Sequence, residues 1–283
     1  MKPDERIAQK PSPTEPDGGF SKVERNKDRA DAFLSHMGDT KTKLTLLDRP
    51  VYDFLKKPGD VTELRILGVF GNSPVWIGYA KGTVTGLFDN YEDLCKAIVS
   101  LEKIPYKGVY FTPQVIDPRL IGRAFNRLVA AKETTSDKDV RAFRFLLIDA
   151  DPVRPAGISS SDAELAAALQ LRNDIAGEIA SEHKLPEPIR AVSGNGGHLL
   201  YPLPDFPAVK YAPAIEKMLK KISNRYSTDA VLIDTQVFNP SRIWKAYGTF
   251  ARKGDPVPPG PYHEARPHRL AYIDYLPSKE MTR

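Results

Sequence analysis

The chain predicts an α/β fold, α+β in the looser sense: a mixed, largely antiparallel sheet flanked by helices, behind a flexible charged tail. Three observations carry that expectation. From about Thr45 onward, apolar runs of strand length recur along the chain. Two capping boxes open stretches of helical periodicity between those runs. The 41% hydrophobic and 9% aromatic content supplies an ordinary globular core and excludes wholesale disorder. At 283 residues there is room for one large domain or two small ones.

Residues 1–44 carry nine basic and eight acidic side chains against two aromatics, and Pro3, Pro11, Pro13 and Pro16 break any early helix. Such a segment buries too little apolar surface to offset its ordering entropy, so Met1–Gly19 reads as a disordered tail and Phe20–Met37 as a weak helix. Strand-length runs follow at Leu64–Phe70, Val75–Ala80, Gly108–Thr112, Phe143–Ile148, Ile189–Val192, His198–Tyr201 and Ala230–Ile233. Asp89-Asn-Tyr-Glu92 is a capping box, with Tyr91, Leu94, Cys95, Ile98 and Leu101 behind it at helical spacing. Asp117-Pro118 sets an N-cap before a proline at the first helical position and predicts a helix through Val129. Ser161-Asp-Ala-Glu164 opens a helix to His183, with Leu165, Leu169, Arg172, Ile175 and Ile179 on one face and Leu185-Pro186 as its stop. A last helix, Pro213–Tyr226, carries Lys217, Lys220, Lys221 and Asn224 on one flank. Residues 45–283 are expected to form one domain of two lobes, about 45–140 and 141–275, with a cleft between them.

No apolar run approaches the roughly 18 residues a membrane span needs, and the N-terminus lacks the apolar core of a signal peptide. A single cysteine, Cys95, excludes internal disulfides and cysteine-rich zinc fingers, so no zinc is expected and the setting reads as reducing and cytoplasmic. The net charge of +5 decides little by itself.

Three constellations carry chemistry. In Phe143-Arg-Phe-Leu-Leu-Ile-Asp-Ala-Asp151, two aspartates two residues apart end an apolar strand, so both carboxylates project from one face. Carboxylates that close repel unless a cation lies between them, and oxygen ligands favour Mg2+ or Mn2+; a turn starter at Asp151-Pro152 with Asp149 as a cap is the plain alternative. Ser193-Gly-Asn-Gly-Gly-His198 joins two strands, and its glycines let backbone amides approach an anion, although hairpins use the same residues. Asp234 ends a third short strand, and from Arg242 to Arg269 six basic residues (Arg242, Lys245, Arg252, Lys253, Arg266, Arg269) face only Asp255 and Glu264. Cations close behind carboxylates suit a triphosphate with its metal; a surface basic loop is the alternative.

Together these residues resemble the archaeo-eukaryotic primase superfamily, in particular the primase-polymerase domains of plasmid, phage and integrated-element replication proteins. The likeness runs from about Leu64 to Ala271. The family's strand-borne acidic pair is matched by Ile148-Asp149-Ala150-Asp151, its small residue and histidine in a turn by Ser193–His198, and its lone carboxylate by Ile233-Asp234. Val109-Tyr-Phe-Thr-Pro-Gln and Asp234-Thr-Gln-Val-Phe-Asn-Pro-Ser-Arg-Ile look like the element-borne branch. Gly196 stands where many members carry Ser, and no zinc module or helicase accompanies the motifs.

The resemblance implies template-directed nucleotidyl transfer: primer synthesis, primer extension or both, on single-stranded DNA with nucleoside triphosphates. Asp149, Asp151 and Asp234 would hold two Mg2+ or Mn2+ ions roughly 4 Å apart. Ser193, Asn195, Gly196 and His198 would hold the β- and γ-phosphates, with Arg242, Lys245 and Lys253 as further clamps. Lys217, Lys220, Lys221, Arg266 and Arg269 are candidate contacts to the DNA backbone, and Trp244 or Phe238 would stack on a base or pack in the core. A helicase or initiator in trans is an expected partner; a membrane is not. Two rivals stay open: a metal-dependent nuclease, and a non-catalytic DNA-binding module of replication initiation.

Overall fold

The computed structural model describes residues 43–183 and 186–278. The tail and weak helix expected before Met37 lie outside them. Among the described residues the first elements are helix α1 (Arg49–Leu55), strands β1 (Thr62–Ser73) and β2 (Trp76–Phe88), helix α2 (Tyr91–Ser100), and strands β3 (Gly108–Phe111), β4 (Val115–Ile116), β5 (Leu128–Ala130) and β6 (Val140–Pro152). Helix α3 (Asp162–His183), strands β7 (Ile189–Val192) and β8 (Gly197–Pro207), helix α4 (Ala208–Tyr226) and strand β9 (Val231–Ile233) follow. The short strands β10 (Trp244–Lys245), β11 (Phe250–Ala251), β12 (Arg269–Leu270) and β13 (Tyr272–Tyr275) close the chain. The class is the expected α+β, with mostly antiparallel sheets flanked by helices.

One sheet has the order β10-β3-β1-β2-β5 and a second the order β13-β7-β8-β6-β4, with β9 alongside β6. The first is built on the β1–β2 hairpin, whose inner face sets Leu64, Ile66 and Val84 at 0% exposure. The second is built on β6, where Phe143, Phe145, Leu146, Leu147 and Ile148 are all buried. A continuous run needs cover on both faces, which α3 and α4 help to supply.

The sequence boundary near residue 140 divides the chain but not the sheets. β4 precedes it and pairs with β6, whereas β10 lies far beyond it and pairs with β3, Trp244 opposite Phe111. Buried side chains reinforce these crossings. Gln114 accepts from the Arg144 and Phe145 amides (2.7 and 3.0 Å) and donates to Phe145 O (2.9 Å), standing in for a missing ladder partner beside β6. The Arg144 guanidinium, itself buried, pairs with Asp60 and Asp205.

Local structure departs from expectation in three places. No α-helix runs from Asp117 to Val129. Asp117 caps only a 3-10 turn, Pro118–Arg123, and residues 128–130 become β5 at the edge of the first sheet. The reason is long-range: Ala124 O accepts from Leu87 N, and Asn126, at φ 48°, donates its amide to Leu87 O, so the β2 end captures the backbone a helix would need. The cap of α2 is Asn90, whose side chain accepts from Asp93 N at 2.9 Å, one residue later than the Asp89 box. Helix α4 starts at Ala208, and Pro213 is accommodated on its exposed side. The Ser161 box forms as read: Ser161 N donates to Glu164 Oε2 (2.8 Å) and Glu164 N to Ser161 Oγ (3.3 Å).

Candidate active site

The acidic residues meet at the C-terminal end of β6. Strand alternation puts Asp149 and Asp151 on one face. On one side, antiparallel pairing with β8 sets His198 opposite Asp149. On the other, β9 sets Ile233 opposite Ala150, and Asp234 N donates to Asp149 O at 2.9 Å. Three carboxylates and a histidine from three separate stretches of sequence therefore share one strand end.

Their partners differ. Asp149 is the most enclosed, and its pKa is pushed up to about 8, first by burial and then by the charges of Asp151 and Asp234, against the pull of Lys253 and Arg154. Asp151 Oδ1 accepts from Arg154 Nη1 at 3.0 Å. Asp234 Oδ1 accepts from Gln236 N at 2.7 Å, capping the 3-10 turn Thr235–Phe238. Three oxygen donors in kind fit a hard divalent ion such as Mg2+ or Mn2+. They are not drawn together as a cage: among the described residues, no group of three or more His, Cys, Asp or Glu side chains is placed to hold a metal ion. Arg154 holding Asp151 is one physical reason.

His198 is buried, with Nε2 3.6 Å from Asp149 Oδ1 and Nδ1 3.0 Å from the Tyr247 hydroxyl. The Trp244 ring lies against the imidazole at 4.0 Å between centroids. Burial, then the charges of Arg172, Lys245 and Lys253, lowers its pKa to about 3, so the ring is neutral at physiological pH.

The glycine turn is tighter than a phosphate nest requires. Ser193 Oγ accepts from the amides of Asn195 (3.3 Å) and Gly196 (2.9 Å), and Ser193 N donates to Gly196 O at 2.9 Å. Asn195, 3% exposed, accepts from Ser160 N with its side chain. Two amides expected to face an anion thus point at Ser193. A Cβ at Gly196 would stand 2.4 Å from Ala150 O and 3.3 Å from Asp151 Oδ1, so the glycine is there because the acidic strand passes directly over it. That contact is the physical reason this chain lacks a side chain at that position.

The basic residues separate into two groups. Lys253 is exposed beside the cluster, where both Asp149 and His198 feel its charge. Arg242 is half-buried and donates to Gln236 O in the loop that follows Asp234. Lys245, by contrast, is 5% exposed and donates to Thr249 Oγ1 (3.0 Å), Phe250 O (2.8 Å) and Val109 O (3.3 Å). It ties β10 to its neighbours and is not placed as a phosphate clamp, a correction to the sequence reading. Arg266 makes a fork to Glu164 (2.7 and 2.9 Å), and Arg269 donates to Asp162 (2.5 Å) and Ser160 O (2.7 Å). Both hold the start of α3, which occupies the groups a DNA backbone would need. Lys217, Lys220 and Lys221 are exposed on α4, Lys220 paired with Glu216 at 2.6 Å.

Sequence reasoning passed over Arg154, Tyr110 and Tyr247. Arg154 had a signal, three residues behind Asp151 in the same strand-end turn. Tyr110, whose pKa is raised by burial and by Asp149, and Tyr247 had none, because β3 and the turn after β10 belong to the first sheet and come near Asp149 only in the folded chain. Phe238 is half-buried against the core, and Trp244 is 3% exposed, so both pack internally.

No protein-family model matches the chain, and no curated protein matches it. Among solved structures it is similar to the polymerase domain of Mycobacterium tuberculosis ligase D in complex with DNA, at 14% identity over 75% of this chain and 74% of that one, with a TM-score of 0.36. Among the described residues, no helix is long and apolar enough to cross a membrane.

Proposed function

We propose that this chain is a template-directed nucleotidyltransferase of the primase-polymerase kind, one that makes primers, extends them, or both, on single-stranded DNA during replication of a plasmid, phage or integrated element. The observation that supports this most is the meeting of Asp149, Asp151 and Asp234 at the end of β6, with His198 facing Asp149 across the ladder. A module that only bound DNA would gain nothing from three neighbouring negative charges beside a polyanion.

Two Mg2+ or Mn2+ ions bound by these carboxylates would supply activation of the attacking 3′-hydroxyl and stabilisation of the departing pyrophosphate. The chain's own contribution is positional. On this reading His198 would offer phosphate oxygens a neutral donor and Lys253 an exposed cation, with Arg242 contributing from the loop behind Asp234. Arg154, its side chain 5% exposed and bonded to Pro152 O and Ile158 O as well as to Asp151, would steady the strand-end turn that carries the acidic pair. Nucleoside triphosphates and single-stranded template are the substrates of this reading, a helicase or initiator in trans a partner, and the cytoplasm its place.

The test is a gel of products from unprimed and primed single-stranded DNA with Mn2+ and either deoxy- or ribonucleotides. Nucleotide-dependent products are expected, and Asp149→Asn with Asp151→Asn is expected to lower the rate by at least about 100-fold. Cleavage of labelled DNA with Mn2+ and no nucleotide would instead establish the nuclease. Sequence-specific duplex binding without incorporation would establish the initiation module.

A further inference from the structure

Trp244 and Tyr247 lie beneath His198, and phosphate transfer as described above uses neither. Trp244 Nε1 is 2.9 Å from the Tyr247 hydroxyl oxygen, which is 3.0 Å from His198 Nδ1. Tyr247 is 0% exposed, so bulk solvent does not reach that hydroxyl. Among the described residues these two are its hydrogen-bond partners.

The direction of the chain follows from donor chemistry. An indole nitrogen can only donate, so the Trp244 N–H occupies a lone pair of the Tyr247 oxygen. The Tyr247 O–H must then find an acceptor, and the group in reach is His198 Nδ1. Were Nδ1 protonated, two N–H donors would converge on one hydroxyl whose own hydrogen was buried without an acceptor, the costly case for any buried donor. On the far side of the ring Nε2 faces the acidic cluster, 3.6 Å from Asp149 Oδ1, with no hydrogen bond there among the described residues to oppose the tautomer set by Tyr247. The fold supplies the rest of the constraint: β10 carries Trp244 opposite Phe111, and its ring stacks on the imidazole at a tilt of 33°.

We infer that Trp244 and Tyr247 form a one-way hydrogen-bond relay that holds His198 as its Nε2–H tautomer, so that a neutral imidazole presents a fixed N–H to the acidic cluster and to a phosphate oxygen brought against it. Both are positioning residues, acting through His198. The phosphate contact rests on the nucleotide-transfer reading; the tautomer stands without it.

The experiment is a long-range nitrogen–proton correlation spectrum of the full chain, metal-free at neutral pH, with histidine nitrogens labelled. Substituting the four other histidines by Gln in turn assigns His198. A bare, pyridine-type Nδ1 with a protonated, pyrrole-type Nε2 is expected; the reverse pattern overturns the relay. In Tyr247→Phe the Nδ1 resonance is expected to move toward that of an unrestrained ring, and an unchanged spectrum overturns the part given to Tyr247. If that variant does not fold, Trp244→Phe is read in the same way, since it keeps a ring against His198 while freeing the Tyr247 oxygen to accept. The expected spectrum in a protein that incorporates no nucleotide would leave the relay standing and remove the transfer reading.

Discussion

Asp149 is where function and stability oppose each other. Its carboxyl titrates at about 8 in the folded chain against 3.8 for an ordinary aspartate, so between those values the folded state binds the extra proton. Stability contributed by this group therefore falls as pH rises from about 4 to 8. Lys56 and Lys245, both lowered to about 7 chiefly by burial, act in the opposite sense above pH 7, because there the unfolded chain holds the extra protons. The difference between Asp149→Asn and the parent isolates the aspartate. In metal-free protein, denaturant unfolding is expected to show the variant gaining about 1–3 kcal/mol on the parent between pH 5 and 8.5. A difference that stays flat with pH would mean the carboxyl is not enclosed among its neighbours as described.

At the scale of elements, strand pairing decides which basic residues can meet a ligand. Lys245 and Lys253 sit eight positions apart in one basic stretch, yet β10 buries the first while the second stands in solvent. Replacing each by Met should separate their roles. Lys245→Met strands Thr249 and two backbone carbonyls, so unfolding measurements should show a loss of about 1–3 kcal/mol with nucleotide KM nearly unchanged. Lys253→Met should raise nucleotide KM several-fold and leave stability within about 0.5 kcal/mol. The reverse pattern would exchange the two assignments. Sequence could place both lysines near the acids but could not rank them, because the ranking depends on β10 pairing with β3 across nearly half the chain. The same limit hid β5: Asp117-Pro118 is a sound local helix start, and only the β2 edge, hydrogen-bonding to Ala124 and Asn126, turns the segment into strand.

For the molecule as a whole, β4 and β10 each pair into the sheet built mainly from the other stretch of the chain and so tie the two sheets together. The buried apolar side chains of both belong to a single continuous core. Unfolding by denaturant should accordingly give coincident transitions by tryptophan fluorescence, which reports Trp76 and Trp244 in the first sheet, and by far-ultraviolet circular dichroism, which reports both. Two separated transitions would show that the sheets unfold independently and that the crossings carry little energy.

What the amino-acid order determined unaided was short-range: the α+β class, the core strands, the Ser161 capping box, and the strand-end positions of Asp149, Asp151 and Asp234. Alternation and capping are satisfied within a few residues, so they can be read without the rest of the chain. Tertiary structure alone decided which cations stay free, why Gly196 has room for no side chain, and how Trp244 and Tyr247 come to direct His198. Each of those depends on groups distant in sequence competing for the same buried space and the same hydrogen bonds, and that competition is settled only when the strands pair.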